Sequence, residues 1–469
     1  MALLFTSGSA LAHGFGQRFT LPLPFWLYGG GACAALLLSF VVLLWKRPAV
    51  GASTAMHHPV DAFNPESTFS PATYAWMVLN SMLMLLAMVS GWFGSQHAPS
   101  NFSMTWFWIY FLLGFFYIAA FAGKNYQLLN PWWCAAQLWC AVRKSPAGNS
   151  TPLNTLSAWP AFAAYMLLIE LELFGHASPQ RLSIFLAAYT ALWLIVSLIS
   201  GPQVWFRQFD TFSALFEHAS RLRGRDKGSS KSASDSSSGT HGPSRLMSPI
   251  SMAAQMLICA MLASTEFDAL KESVPWATEL WKLLLNLFPQ NSTNPLAILA
   301  ALSETYRNAE MVAWLLMPFA YFALMALMVA ASRYAAPVTH PFSYDMSLAA
   351  LALLPLVLGY HVAHYFPLLL SEGPNLIHLL SDPLGEGWNL LGTASLLRAP
   401  IMLETDSVWH LQVALIVAGH LGGVLVSHWQ ACQIHTTQRA VLLSQLPMLV
   451  WMMALTTWGL WILSQPMKV

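Results

Sequence analysis

Apolar residues along this chain gather in runs of membrane length, near 24–45, 72–93, 103–123, 157–175, 182–200, 247–264, 309–331, 348–370, 408–428 and 441–463. A run of about 20 apolar residues is long enough to cross the hydrocarbon core as a helix. In lipid such runs must be helical, because nothing outside the chain satisfies their backbone polar groups. The pattern predicts an all-α integral membrane protein, a bundle of about ten transmembrane helices. Pro289, Pro295, Pro374, Pro383 and Pro400 fall between the runs, where a missing N–H costs little, and Pro355 falls inside one and is expected to kink it.

Composition agrees. The chain is 56% hydrophobic and 9% charged, against roughly a quarter charged in an ordinary soluble domain. The expected organisation is a lead-in at 1–23, helices one to five at 24–200, a cytoplasmic loop at 201–246 and helices six to ten at 247–469. Within 201–246 the segment 226–241 is Ser, Gly and Lys with almost no apolar residue, and reads as a disordered linker. The lead-in ends in Ala10-Leu11-Ala12, like a weak cleavable signal, and cleavage would leave His13 as the new N-terminus.

Charge sets the expected orientation. With the N-terminus outside, inner loops carry 14 of the 21 Lys and Arg and outer segments the other 7, so the positive-inside rule places both termini outside. The long outer loops are then 265–308 and 371–407. The five cysteines form no CxxC pair and none falls in an outer loop, which argues against a disulfide framework. No phosphate-binding loop, nucleophile elbow, HExxH site or basic nucleic-acid face is present. Any chemistry must come from dispersed residues brought together by helix packing.

The strongest candidates are His361 and His364, an i, i+3 pair on one face of an intramembrane segment. The next helix carries His410, His420 and His428, and by depth His364 can meet His410 or His420 but not both. Glu172 and His176, at i, i+4, would share the outward end of helix four. Asp268, in Ser264-Thr265-Glu266-Phe267-Asp268, and Asp382, in Ser381-Asp382-Pro383-Leu384-Gly385-Glu386-Gly387-Trp388, lie at the same level. Each residue also has a plain reading as a helix cap, a turn or an interhelical hydrogen bond.

Several runs together resemble the polytopic membrane proteins called fenitrothion hydrolase. They are Leu129-Asn130-Pro131-Trp132, Asp210-Thr211-Phe212, the Ser264–Asp268 and Leu380–Trp388 segments, Ala363-His364-Tyr365-Phe366, Gly419-His420, and an opening Ala12-His13-Gly14 followed by Leu21-Pro22-Leu23-Pro24. The resemblance implies a bacterial inner-membrane hydrolase that cleaves a lipophilic organophosphorus triester and releases a nitrophenol, with a second membrane subunit as a further partner. His361, His410 and Asn389 depart from the family pattern.

For that reaction, His364, His420 and Glu172, completed by His361 or His176, would bind a divalent metal such as zinc or copper, and Asp382 or Asp268 would orient the attacking water. Two other readings stay open: a transporter or permease whose polar cluster binds a metal ion or proton, and a non-catalytic membrane subunit.

Overall fold

The computed structural model describes residues 24–45, 67–143, 157–175, 177–223, 246–288, 294–396, 401 and 403–468. The lead-in with His13, the 226–241 linker and His176 lie outside them. Among the described residues all regular structure is helical, and nine helices are long and apolar enough to cross a membrane. The protein is an all-α multi-pass membrane protein.

The chain divides into two compact units. The first holds residues 24–45, 255–364 and 403–468 and is built from α1 (Phe25–Trp45), most of α8 (Met252–Lys271), α9 (Val274–Leu287), α10 (Pro295–Ala335), most of α11 (Phe342–Glu372), α13 (Thr405–Ile434) and α14 (Gln438–Leu463). Its long helices alternate in direction. Gln438 near the start of α14 donates to Leu44 O at the end of α1 (3.2 Å), Arg333 at the end of α10 pairs with Asp345 at the start of α11 (2.5 Å), and Gln412 of α13 donates to Ala363 O of α11 (3.1 Å). The helix α8 runs parallel to α11, tied by Gln255 to Ser347 at one end and by Asp268 to His364 at the other. Every residue from Gln255 to Lys271 is buried, so α8 is the core of this unit.

Helices α11 and α13 meet through backbone. A Cβ added to Gly419 would lie 2.9 Å from Pro355 O and 3.2 Å from Gly359 Cα, and one added to Gly423 would lie 2.9 Å from Ala352 O. This is the small-residue crossing typical of membrane helices, where close packing replaces a hydrophobic driving force. The helix α11 remains helical through Pro355.

The second unit holds residues 67–143, 157–175, 177–223, 246–254, 365–396 and 401. It contains α2 (Pro71–Phe93), α3 (Phe102–Ala122), α4 (Pro131–Arg143), α5 (Trp159–Phe174), α6 (Pro179–Ser200), α7 (Thr211–Ser220) and α12 (Asn375–Ser381). Within α3 the turns from Thr105 to Gly114 widen to i→i+5 pairing, and the rings of Phe102, Trp106 and Tyr110 stack at 6.1 and 6.2 Å. The segment between α6 and α7 reverses at Asp210, whose buried carboxylate accepts from Asn130 (2.5 Å), Tyr189 (2.5 Å), Ser213 (2.7 Å) and Phe212 N (3.2 Å). Burial pushes this carboxyl up, and the bonds from Tyr189, Ser213 and Asn130 pull it back down. The Trp132 ring stacks on Phe212 beside it, 5.1 Å between centroids.

Three expected boundaries move. The run 157–175 forms α5, whose 16 residues span about 24 Å, short of the ~30 Å core, so it is the one expected crossing missing from the nine. It nevertheless completes an alternating set of four with α2, α3 and α6. The expected outer loop 265–308 is mostly helix: α8 continues through Glu266 and Asp268 to Lys271, because these charges are paired and buried inside the unit. The polar stretch Ser303–Asn308 interrupts hydropathy and leaves the helix intact, so α10 runs for 41 residues instead of 309–331.

Two outcomes test these contacts. Gly419→Ala should lower thermal stability in detergent by about 1–3 kcal/mol, whereas Gly30→Ala, with no neighbour within 4 Å, should stay within about 0.5 kcal/mol. His218 on α7 is buried with neither ring nitrogen hydrogen-bonded among the described residues, and burial pushes its pKa down to about 4. The unfolded chain therefore binds the proton first on acidification, and stability should fall by up to about 3 kcal/mol as pH drops from about 6.5 toward 4. That slope should shrink in His218→Gln, read from melting curves against pH.

Candidate functional site

Residues two apart on a helix project roughly 200° from each other, so Glu266 and Asp268 leave opposite sides of α8. Each finds a partner on a different helix. Glu266 accepts a short hydrogen bond from the Tyr321 hydroxyl of α10, and the Trp458 indole of α14 also bonds this carboxylate. Asp268 Oδ2 lies 3.0 Å from His364 Nε2 of α11, and Asp268 Oδ1 lies 3.7 Å from Lys271 Nζ one turn along its own helix. The Asp268 and His364 side chains are 5% and 4% exposed, so water screens this pair little.

Tyr360, one turn before His364, is fully buried near both carboxylates, and its hydroxyl has no hydrogen-bond partner among the described residues. Two acids, one base, one ammonium and two phenols thus meet within the first unit. Lys271 continues the cluster outward through Glu272 (3.3 Å), whose carbonyl accepts from Lys468 N (2.8 Å). Lys468 Nζ in turn reaches Tyr306 (3.2 Å) and Glu310 (3.4 Å), and Trp276 donates to the same Glu310 oxygen (3.1 Å). The segment Pro466–Lys468 therefore ties the end of α8 to the body of α10.

Of the residues expected from sequence, the structure brings together His364 and Asp268. His361 is half-buried one turn earlier on α11. His420 is buried, but the register of α11 on α13 sets it beside Pro355–Gly359, deeper than His364, and its Nδ1 bonds Ile416 O (2.9 Å). His410 lies near the start of α13, exposed, with Nδ1 on Asp406 O (2.7 Å). His428 bonds Gln445 (3.2 Å) and Cys432 (3.5 Å) at the far end of α13.

Glu172 belongs to the second unit, where Tyr365 donates to it at 3.3 Å. Its helix ends at Phe174, and His176, expected one turn on from Glu172, lies outside the described residues. Asp382, also in the second unit, accepts from Glu386 N (2.9 Å) and Gly387 N (2.8 Å), which is turn capping of its own loop.

Among the described residues no group of three or more His, Cys, Asp and Glu is arranged to hold a metal ion. The His364–Asp268 pair supplies two donors, and the Lys271 ammonium already faces the second Asp268 oxygen. That falls short of the three or four donors a divalent site takes.

Lys271, Tyr321, Tyr360 and Glu266 complete the cluster and were not singled out as site residues in the sequence. Lys271 at i+3 from Asp268 was visible as a spacing, but only the continuation of α8 puts it on the same buried helix. The phenols carried no such signal, since a Tyr in an apolar run reads as core.

No known protein family matches this chain, and no curated protein or solved structure is significantly similar to it. The fold class therefore rests on the helices themselves, and the function on the chemistry of the buried cluster.

Removing one member of a buried hydrogen-bonded pair strands the other. Asp268→Ala or His364→Leu should each destabilise by about 3 kcal/mol, and the double variant should cost less than their sum. A double-mutant cycle by thermal unfolding checks this, and additive effects would show the two side chains to be uncoupled.

Proposed function

We propose that this chain is a proton-coupled membrane carrier in which Asp268 is loaded and unloaded by His364. The observation that carries the reading is a carboxylate buried within a membrane helix between an imidazole and an ammonium. Ionisable groups at such depth are costly, and they recur in proton relays. Asp268 Oδ1 lies 3.7 Å from Lys271 Nζ, and a proton arriving on His364 has Asp268 Oδ2 as an acceptor 3.0 Å away. Tyr360 and the Glu266–Tyr321 pair extend the set of exchangeable protons across α8. The host is a cytoplasmic membrane with the N-terminus outside, in keeping with the distribution of Lys and Arg.

Proteoliposomes with an entrapped pH-sensitive dye test the proposal. An imposed pH gradient should decay at least tenfold more slowly with Asp268→Asn than with the unaltered protein, while Asp382→Asn, confined to its loop, should leave the rate unchanged. Equal rates for Asp268→Asn and the unaltered chain would overturn it.

A second reading, hydrolysis of a lipophilic phosphotriester, is favoured by one feature. An imidazole held by a buried carboxylate is the arrangement of a general base that activates water. It predicts nitrophenol release from a fenitrothion-type triester by purified protein, lost in His364→Ala, and a stoichiometric divalent metal if His364 is also a ligand. Hydrolysis without proton flux would select this reading over the carrier.

A further inference from the structure

At the end of the first unit away from His364, four helices enclose a half-open cavity of about 90 Å³. Its wall includes Arg333, Asp345, Gln430, His435 and Ser427, with Met448 among the apolar side chains behind them. These residues sit close to helix ends: Arg333 in the last turn of α10, Asp345 in the first turn of α11, and His435 just past α13. Helix ends of a bundle mark the level of the lipid headgroups.

The charges here have spare capacity. Both hydrogen bonds of Arg333 come from Nη1, to Asp345 Oδ2 (2.5 Å) and to His340 O (3.0 Å), while the guanidinium carbon lies 5.9 Å from the centroid of the Phe342 ring. Nη2 and Nε make no further hydrogen bond to the described residues. On the other side, Asp345 Oδ1 is 3.4 Å from His340 Nδ1, too long for more than a loose ion pair. Facing them, His435 has its pKa lowered chiefly by burial and then by His340, with Asp345 pulling the other way. The cavity thus presents a fixed cationic fork beside an anionic oxygen, with amide and hydroxyl groups around them.

We propose that this cavity binds the zwitterionic headgroup of an aminophospholipid, its phosphate on the free edge of Arg333 and its primary ammonium on Asp345 Oδ1. Two opposite charges a few ångströms apart in the ligand match the Arg333–Asp345 dipole laid antiparallel. A lone anion would meet Asp345 with the wrong sign, and a lone cation would meet Arg333. A primary ammonium also donates hydrogen bonds, which a trimethylammonium does not, so ethanolamine headgroups are favoured over choline. The position at headgroup level, open on one side, lets the glycerol and acyl chains stay in the bilayer. Basic pockets between membrane helices take headgroups by the same electrostatics.

The test is lipid retention by native mass spectrometry and thermal stability in nanodiscs of phosphatidylethanolamine, phosphatidylcholine or phosphatidylglycerol. Phosphatidylethanolamine should be retained at least fivefold over the other two and should raise the melting temperature by several degrees. Asp345→Asn should erase the preference over phosphatidylglycerol, and Arg333→Gln should weaken retention of phosphatidylethanolamine and phosphatidylglycerol alike. Ser444→Ala, also in the wall, guards against general misfolding and should keep the preference. Free phosphoethanolamine added at millimolar concentration distinguishes a soluble ligand: stabilisation by it without any lipid preference would reassign the site to a small solute. Equal retention of all three lipids would overturn the proposal. Neither result depends on proton flux.

Discussion

A charge inside a bilayer persists only if the protein supplies what water would have supplied. Asp268 illustrates the demand most fully: its two oxygens are divided between His364 on another helix and Lys271 on its own, and the helix that carries it is buried along its length. Three helices must hold their register for that arrangement to survive. The backbone contact of α11 on α13 fixes the height of His364, and the clamp of Lys468 on Glu272 and Glu310 holds the end of α8 against the body of α10. Much of the first unit's packing holds one buried carboxylate against its partners out of water.

The second unit solves a different problem with the same means. Asp210 is also buried, yet its partners are neutral donors from the residue before α4 and from α6 and α7 that close a chain reversal. The Asn130 and Asp210 runs that stand out in the sequence are thereby accounted for as structure. Asp382 likewise spends both oxygens on backbone amides of its own loop.

The helical architecture was legible because hydrocarbon imposes a length and forbids open backbone. The ends of helices were not, since a hydropathy window stops at the first charges whereas a helix stops only when its hydrogen bonds or packing do. Lys271 and Glu266 kept α8 going, and Ser303–Asn308 did not interrupt α10. Of the site, His364 and Asp268 were visible as rare ionisable residues near apolar runs. Their pairing was not, because it depends on α8 running parallel to α11 at a particular height. His420 drew notice for its residue type, and the close α11–α13 crossing places it deeper than His364.

That crossing has a mechanical consequence. Where two helices touch through carbonyl and Cα atoms at Gly359, Gly419 and Gly423, sliding along the axis meets backbone at once, whereas pivoting about the contact does not. The helix α11 behaves as a beam on a fulcrum, with His364 at one arm and Asp345 at the other. A sideways movement of one end about that contact would carry the other end the opposite way.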